Sequence, residues 1–256
     1  MAKFLNKTVS GLPMAEYQAS EGLSKHKLDH FHTAPAYYKH RSAKEFKPSR
    51  AMELGTAVHD LVLEKKQTFF VASACDRRTT AGKAEWAAFC KDNIGKLVVN
   101  EEEGAAILGA SEAASRLLEK VKIKDTELSM WWDRSGIQCR GRVDLVGELN
   151  GESVLLDLKT VTRISNFDRS FFDLRYDVQA EWYRHGYSKL TGTPTSFVFL
   201  AVDMEAPHLC QFVFPSSEVL QHAYQAIEDD LAQWKICTEL DVWPGLPERR
   251  IIMPRY

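Results

Sequence analysis

The dipeptide Asn150-Gly151 constrains this chain more than any other feature of its sequence. Asn-Gly supplies the two positive-φ residues of a tight hairpin turn, and a two-residue turn leaves the flanking strands one register. Leu149 then faces Glu152, Asp144 faces Asp157, and Arg142 faces Lys159. Side chains alternate between the faces of a strand. One face collects Val143, Leu145, Leu149, Val154, Leu156 and Leu158, a core face. The other carries Arg142, Asp144, Val146, Glu148, Ser153, Leu155, Asp157 and Lys159.

Upstream, Asp133-Arg134-Ser135-Gly136 has the composition of a β-turn. Closed between Asp133 and Gly136, it sets Glu127 opposite Arg142, on the side of Asp144. Leu128, Met130, Trp132, Ile137 and Cys139 then join the core side.

Directly opposed carboxylates have Cβ atoms about 4.5–5.5 Å apart, and like charges there destabilise a sheet. A hard divalent cation held by one or two carboxylates offsets that repulsion. Lys159 projects beside such an ion and could hold a water or offset charge on a phosphorane. The alternative is a lattice of ion pairs, with Lys159 and Arg142 neutralising the aspartates. Val146 and Leu155 on the polar face imply that something covers it.

Elsewhere the pattern predicts, within 22–50, a short helix, a break at Thr33-Ala34-Pro35 and another helical turn around Tyr37 and Tyr38, and then helices over 51–66, 81–93, 101–121 and 175–190. It predicts strands over 127–159, 195–203 and 208–214. A last helix, capped by Ser216 or Ser217, runs to about 236. This order predicts a mixed α/β fold with a central sheet. With 256 residues and no evident linker, the expectation is one domain: a basic segment over 1–50, a core over 51–236 and an irregular tail over 237–256.

Charge and cysteine usage narrow the chemistry. The net charge is −2, yet residues 1–50 hold nine Lys or Arg against four acids. A basic first segment suits phosphate, with Lys39 and Arg41 as candidate contacts and Arg142 a third. A solvated helical face explains the same charges, and charge alone favours it. Cys75, Cys90, Cys139, Cys210 and Cys237 are scattered and never paired as C-x-x-C, which argues against a disulfide framework and against zinc or iron–sulfur ligation. No apolar run suits a membrane span or a secretory leader, so the cytoplasm is the expected location. Trp131, Trp132 and Trp182 read as packing residues. His26, His30 and His32 read as loosely spaced polar residues rather than a metal site.

Asp144 followed by Asp157-Leu158-Lys159 on a hairpin resembles the PD-(D/E)xK nuclease superfamily, although Val143 stands where a proline is usual. Gly55-Thr56-Ala57-Val58-His59 resembles the G-T-x-x-H helix of RecB-type nucleases. Gln179-Ala180-Glu181-Trp182-Tyr183 resembles their Q-x-x-x-Y motif, with both ends on one helix face. Glu127, Gly141-Arg142-Val143-Asp144, Asp157-Leu158-Lys159-Thr160, the segment from Leu23-Ser24 to Ala34-Pro35-Ala36-Tyr37-Tyr38, and Trp243-Pro244-Gly245 are similar to the RecE (exonuclease VIII) branch.

The resemblance implies a restriction-endonuclease-like core, a central mixed sheet with antiparallel hairpins flanked by helices. It implies Mg²⁺, with Mn²⁺ as a substitute, held by Asp144, Asp157 and the Leu158 carbonyl, with His59 as a ligand or close to one. Lys159 would orient water, Glu127 would support the site directly or through Arg142, and Gln179 and Tyr183 would position DNA or catalytic groups. The implied activity is digestion of linear double-stranded DNA from the 5′ end, leaving 3′ strands for a single-strand annealing protein, by a ring-shaped homo-oligomer. The rivals are an endonuclease of the same superfamily and a DNA-binding module without activity. An iron–sulfur variant of the Cas4 kind would need four grouped cysteines, which this chain lacks.

Overall fold

In the computed structural model, residues 5–41, 47–72 and 78–248 are described. Cys75 and the end of the expected tail lie outside them. A six-stranded sheet has the order β1-β4-β5-β6-β7-β8. Its strands are β1 (Lys7–Val9), β4 (Val121–Arg134), β5 (Ile137–Leu149), β6 (Glu152–Val161), β7 (Ser196–Asp203) and β8 (Cys210–Val213). Only β6 and β7 run parallel; the other neighbours are antiparallel. The crossover between the parallel β6 and β7 carries a short helix and then the longer α8 (Tyr176–Thr191). A short parallel pair, β2 (Phe69–Val71) and β3 (Leu97–Val99), stands apart.

Both faces of the large sheet are buried. On one face α4 (Arg50–Leu63) and α6 (Glu101–Leu118) pack over Leu145, Leu149, Val154, Leu156, Leu158, Val198 and Leu200. On the other, α2 (Lys25–Thr33), α7 (Phe167–Asp173), α8 and α9 (Ser217–Leu240) cover Met130, Trp132, Val146, Leu155, Phe197 and Phe199. The remaining helices are α1 (Met14–Ala19), α3 (Pro35–Arg41) and α5 (Thr80–Asp92). Local chemistry sets several ends. Asn100 and Glu103 form a reciprocal capping box on α6, and the Ser216 hydroxyl accepts from Val219 N–H at the start of α9. The three tryptophans are packing residues, as expected: Trp131, Trp132 and Trp182 are fully buried.

Asn150 and Gly151 have φ of 53° and 84°, and Leu149 pairs with Glu152 as expected. The upstream turn differs by one residue on each side. Ser135 and Gly136, at φ 57° and 81°, form the two-residue loop, and Arg134 pairs with Ile137. This register sets Ser129, not Glu127, opposite Arg142. Glu127 moves level with Asp144.

The faces of the sheet also differ from the expected ones. Val143 joins Val146 and Leu155 in one cluster, while Leu145 joins Leu156 and Leu158 in the other. Leu128, Met130, Trp132 and Cys139 fall with Val143, so they lie across the sheet from the expected core face. The cause is local. Glu127 sits in the left-handed region at φ 53°, and the ladder skips it between Thr126↔Leu145 and Leu128↔Val143. The alternation along β5 changes phase at Asp144.

Close packing fixes α8 against the sheet. A Cβ built on Gly186 would lie 2.8–2.9 Å from the Trp132 ring. Alanine gains about 1 kcal/mol in helix propensity, but overpacking costs about 1–3 kcal/mol. Trp132 is fully buried and edge-on to Trp182 at 5.4 Å, so it has nowhere to move. Gly186→Ala is therefore expected to lose stability, on the order of 1–2 kcal/mol net. Urea denaturation measures it, and an unchanged or raised midpoint would contradict the packing argument.

Candidate metal centre

The β5–β6 ladder stops at Leu145↔Leu156, although both strands continue. Beyond that point β6 pairs only with β7, and a side chain takes over one backbone bond. Asp144 Oδ2 accepts the Leu158 N–H at 2.8 Å. The strands thus part where the candidate acids lie, instead of setting Asp144 and Asp157 in a regular pair.

Three elements converge on this gap. His59 arrives from α4, Glu127 from β4 and Asp144 from β5. One ligand atom from each lies within 4.8 Å of the others, the one such cluster of metal-capable side chains among the described residues. Asp157 is not part of it. Its oxygens take the Lys159 ammonium at 2.6 Å and a short hydrogen bond donated by the Gln179 amide. Glu127 is held by Arg142 Nε at 2.6 Å, and Arg142 also donates to the Leu12 carbonyl at 2.7 Å. Half of the alternative ion-pair lattice is thus real, Lys159 with Asp157. Arg142 pairs with Glu127 rather than with Asp144.

The donor set fits a divalent cation. His59 Nε2 lies 2.6 Å from the Leu158 carbonyl. A carbonyl only accepts, so Nε2 carries the proton. In the neutral ring Nδ1 then turns a lone pair toward Asp144 Oδ2, 3.5 Å away. Two acceptors facing each other at that distance suit a shared proton or a metal ion between them. The Nε2 contact takes one of the two lone pairs of the Leu158 carbonyl, the oxygen expected to face the ion, and leaves the other free to do so.

Electrostatics agrees. Burial, and then the nearby Asp157 charge, push the Asp144 carboxyl up to about 7. A carboxyl raised by desolvation and a like charge in one recess is the signature of a cation site or a proton-handling site. For Lys159, burial works to lower the pKa, but Asp157, Tyr176 and Asp144 together outweigh it and hold the ammonium above its ordinary value. Lys159 also lies 4.8 Å from the centre of the Tyr176 ring. It is a fixed cation and hydrogen-bond donor, not a free amine poised to take a proton.

Helix α8 supplies the covering wall. Gln179 meets Asp157, and one turn later Tyr183 packs on Gly141, where an added Cβ would approach the ring to 2.7 Å. Lys39 and Arg41 lie on α3: Lys39 pairs with Asp241 at 3.0 Å, and Arg41 donates to the Tyr37 hydroxyl at 2.9 Å. Sequence reasoning missed Lys25 and Arg175. Lys25 Nζ donates to the Leu174 carbonyl at 2.8 Å and pairs with Asp29 at 2.8 Å, near enough to feel Lys159. Arg175, at φ 52°, bonds Asp230 at 2.8 Å. The Lys25/Asp29 spacing was the one signal available. A separate cavity of about 580 Å³ is lined by Leu54, Glu102, Thr160, Met204, Glu205 and His208 and includes none of the site residues. Glu102, Glu103 and Glu205 in its lining make it unsuited to phosphate.

A mixed, mostly antiparallel sheet flanked by helices, with Asp144 and Asp157-Leu158-Lys159 at a break between neighbouring strands, defines a PD-(D/E)xK-type, restriction-endonuclease-like domain. The chain belongs to the family described as "PDDEXK-like domain of unknown function (DUF3799)", whose sequence model matches residues 24–250. Among curated proteins no sequence match to this chain is found. A crystal structure from Eubacterium rectale, named a "Putative exonuclease", superposes with a TM-score of 0.66 at 15% identity, over 97% of each chain. That likeness shows the fold. A structure named SSO0001 (TM-score 0.28, 16% identity, 73% of this chain and 88% of that one) and protein VC1899 from Vibrio cholerae (0.24, 13%, 71% and 48%) are too distant in shape to carry an argument.

Proposed function

We propose that this chain is a divalent-metal-dependent nuclease acting on DNA, with Mg²⁺ as the working ion and Mn²⁺ as a substitute. The observation that carries the reading is the His59–Glu127–Asp144 cluster beside the Asp157–Lys159 pair, in a family of PD-(D/E)xK type. When bound, the ion would lower the pKa of a water and offset charge on the phosphate. Asp144, Glu127 and His59 Nδ1 would hold it, with Asp157, now bonded to Lys159 and Gln179, beside them as a further candidate ligand. Lys159 donates hydrogen bonds to the attacking water and to the phosphate. Arg142 keeps Glu127 aimed at the site, and Gln179 and Tyr183 fix the wall against which the strand lies.

At finer grain, the proposed activity is exonucleolytic digestion of linear double-stranded DNA from the 5′ end by a single nuclease domain. It leaves 3′ strands for a single-strand annealing protein. A ring of identical subunits and a cytoplasmic location complete the proposal. Support comes from the sequence resemblance to the RecE branch. No helix among the described residues is long and apolar enough to cross a membrane.

End-labelled linear duplex and a covalently closed circle, each incubated with Mg²⁺, test this reading. The expected result is release of nucleotides from the linear DNA while the circle stays intact. Cutting of the circle would mark an endonuclease. No release with any divalent ion would leave a binding module.

A further inference from the structure

We infer that the solvent-side row His26–His30–Tyr37–Arg41, running outward from Lys25 beside the metal centre, is a stacking track for single-stranded nucleic acid. This rests on the nuclease reading for its placement, and it adds where one strand leaves the site.

The row is continuous. The His26 and His30 rings meet edge to face at 4.3 Å between centroids, and His30 meets Tyr37 the same way at 5.4 Å. The Arg41 guanidinium lies 5.2 Å from the Tyr37 ring centre, with Nε on the hydroxyl. Its inner end adjoins the catalytic wall, because Lys25 precedes His26 and feels the Lys159 charge.

Packing does not require these rings. The core side of α2 and α3 is filled by Phe31, which is fully buried and 5.1 Å from Trp234, and by Tyr38, 4.5 Å from Trp234. His26 and Arg41 are exposed, and His30 and Tyr37 are partly so. Nor are the histidines a second metal site, since the one cluster among the described residues is that at Asp144.

The chemistry selects a nucleic-acid strand. Desolvation by the groups packed around them, with the Arg41 charge common to both, holds the His26 and His30 imidazoles below the ordinary histidine range, for His26 against the opposing pull of Asp29. At neutral pH they are therefore uncharged rings, suited to bases rather than to phosphate. Cations flank them. Residues 25–41 carry Lys25, Lys27, Lys39 and Arg41 against Asp29 alone, in a chain of net charge −2. Neutral aromatic faces bordered by cations are how sequence-tolerant single-strand binders hold bases and backbone.

The test measures the anisotropy of a short fluorescein-labelled single-stranded oligonucleotide, and of the same sequence as blunt duplex, in EDTA so that no cleavage runs. Tyr37→Leu and His30→Leu should each weaken single-strand binding about tenfold and change duplex binding little. Tyr37→Phe should bind as wild type. Thermal melting identifies any variant that fails to fold, and either leucine substitution alone then decides. Wild-type affinity for the single strand in a folded leucine variant would overturn the track, as would an equal loss for duplex. Wild-type hydrolysis of thymidine 5′-(4-nitrophenyl phosphate) with Mn²⁺ is read separately. Its failure would count against the nuclease reading and leave the binding comparison to decide the track.

Discussion

Asp144→Asn is expected to reduce Mg²⁺-dependent cleavage on the order of 10³-fold while making the metal-free protein more stable. The two effects share one cause. The Asp144 carboxyl is raised to about 7 by burial and then by Asp157, so in the folded chain its charged form is the unfavourable one. A raised acid contributes stability in full below its unfolded value, near pH 4, and loses it as pH climbs through 7. Above pH 7 the wild type carries the whole cost. Each tenfold gain in the proton affinity of the folded-state carboxyl corresponds to about 1.4 kcal/mol. Sharing between two interacting carboxyls, and the 15% exposure of the Asp144 side chain, bring the expected cost down to on the order of 2 kcal/mol. Asparagine removes the charge yet still accepts the Leu158 N–H. In EDTA at pH 8 the variant should melt above wild type, and at pH 4 the gap should vanish. Mg²⁺ should reverse the order by binding only the native wild type. Undiminished cleavage, or a variant less stable than wild type at pH 8, would remove Asp144 from the ion.

Asp157 and Lys159 should behave as a unit when measured for stability instead of rate. Removing one partner of a buried ion pair leaves the other uncompensated, at a cost of about 3–5 kcal/mol. Here the Asp157 side chain is 5% exposed and that of Lys159 20%, which places Asp157→Ala near the low end, about 3 kcal/mol. Lys159→Ala should cost less, because Asp157 keeps the Gln179 amide. The double variant Asp157→Asn/Lys159→Met should recover most of the loss, since replacing both partners together is close to neutral. All three are expected to lack cleavage, so urea denaturation in EDTA carries the information. Lys159→Ala should retain more Mn²⁺ binding by calorimetry than Asp157→Ala. A double variant no more stable than Asp157→Ala would mean that the pair is not coupled.

What the sequence made legible follows from how local each constraint is. The Asn150-Gly151 register could be read because a two-residue turn admits one pairing. The D…D-x-K spacing, the i and i+4 placement of Gln179 and Tyr183, and the Ser216 cap are likewise short-range. The phase change at Asp144 was not readable. It depends on Glu127 adopting a left-handed conformation, and no pattern in the flanking residues signals it. The sequence paired Asp144 with Asp157, but the β5–β6 ladder ends one residue short of them, and the structure groups Asp144 with Glu127 and with His59, which arrives from a helix far away in the chain. Strands β1, β2 and β3 have three residues each, too few for an alternation to register. Helix α7 was missed although Phe167 and Phe171, one turn apart, are its buried residues.

The residues of the proposed centre come from opposite sides of one sheet. His59 belongs to a helix seated on the Leu145–Leu158 side, while Lys159 and Asp157 meet residues of α8 on the Val146–Leu155 side. Neither half of the hydrophobic interior can assemble the centre alone. On the proposed reading, a chain in which only one half has packed lacks a complete centre, so cutting competence would come only with the whole fold.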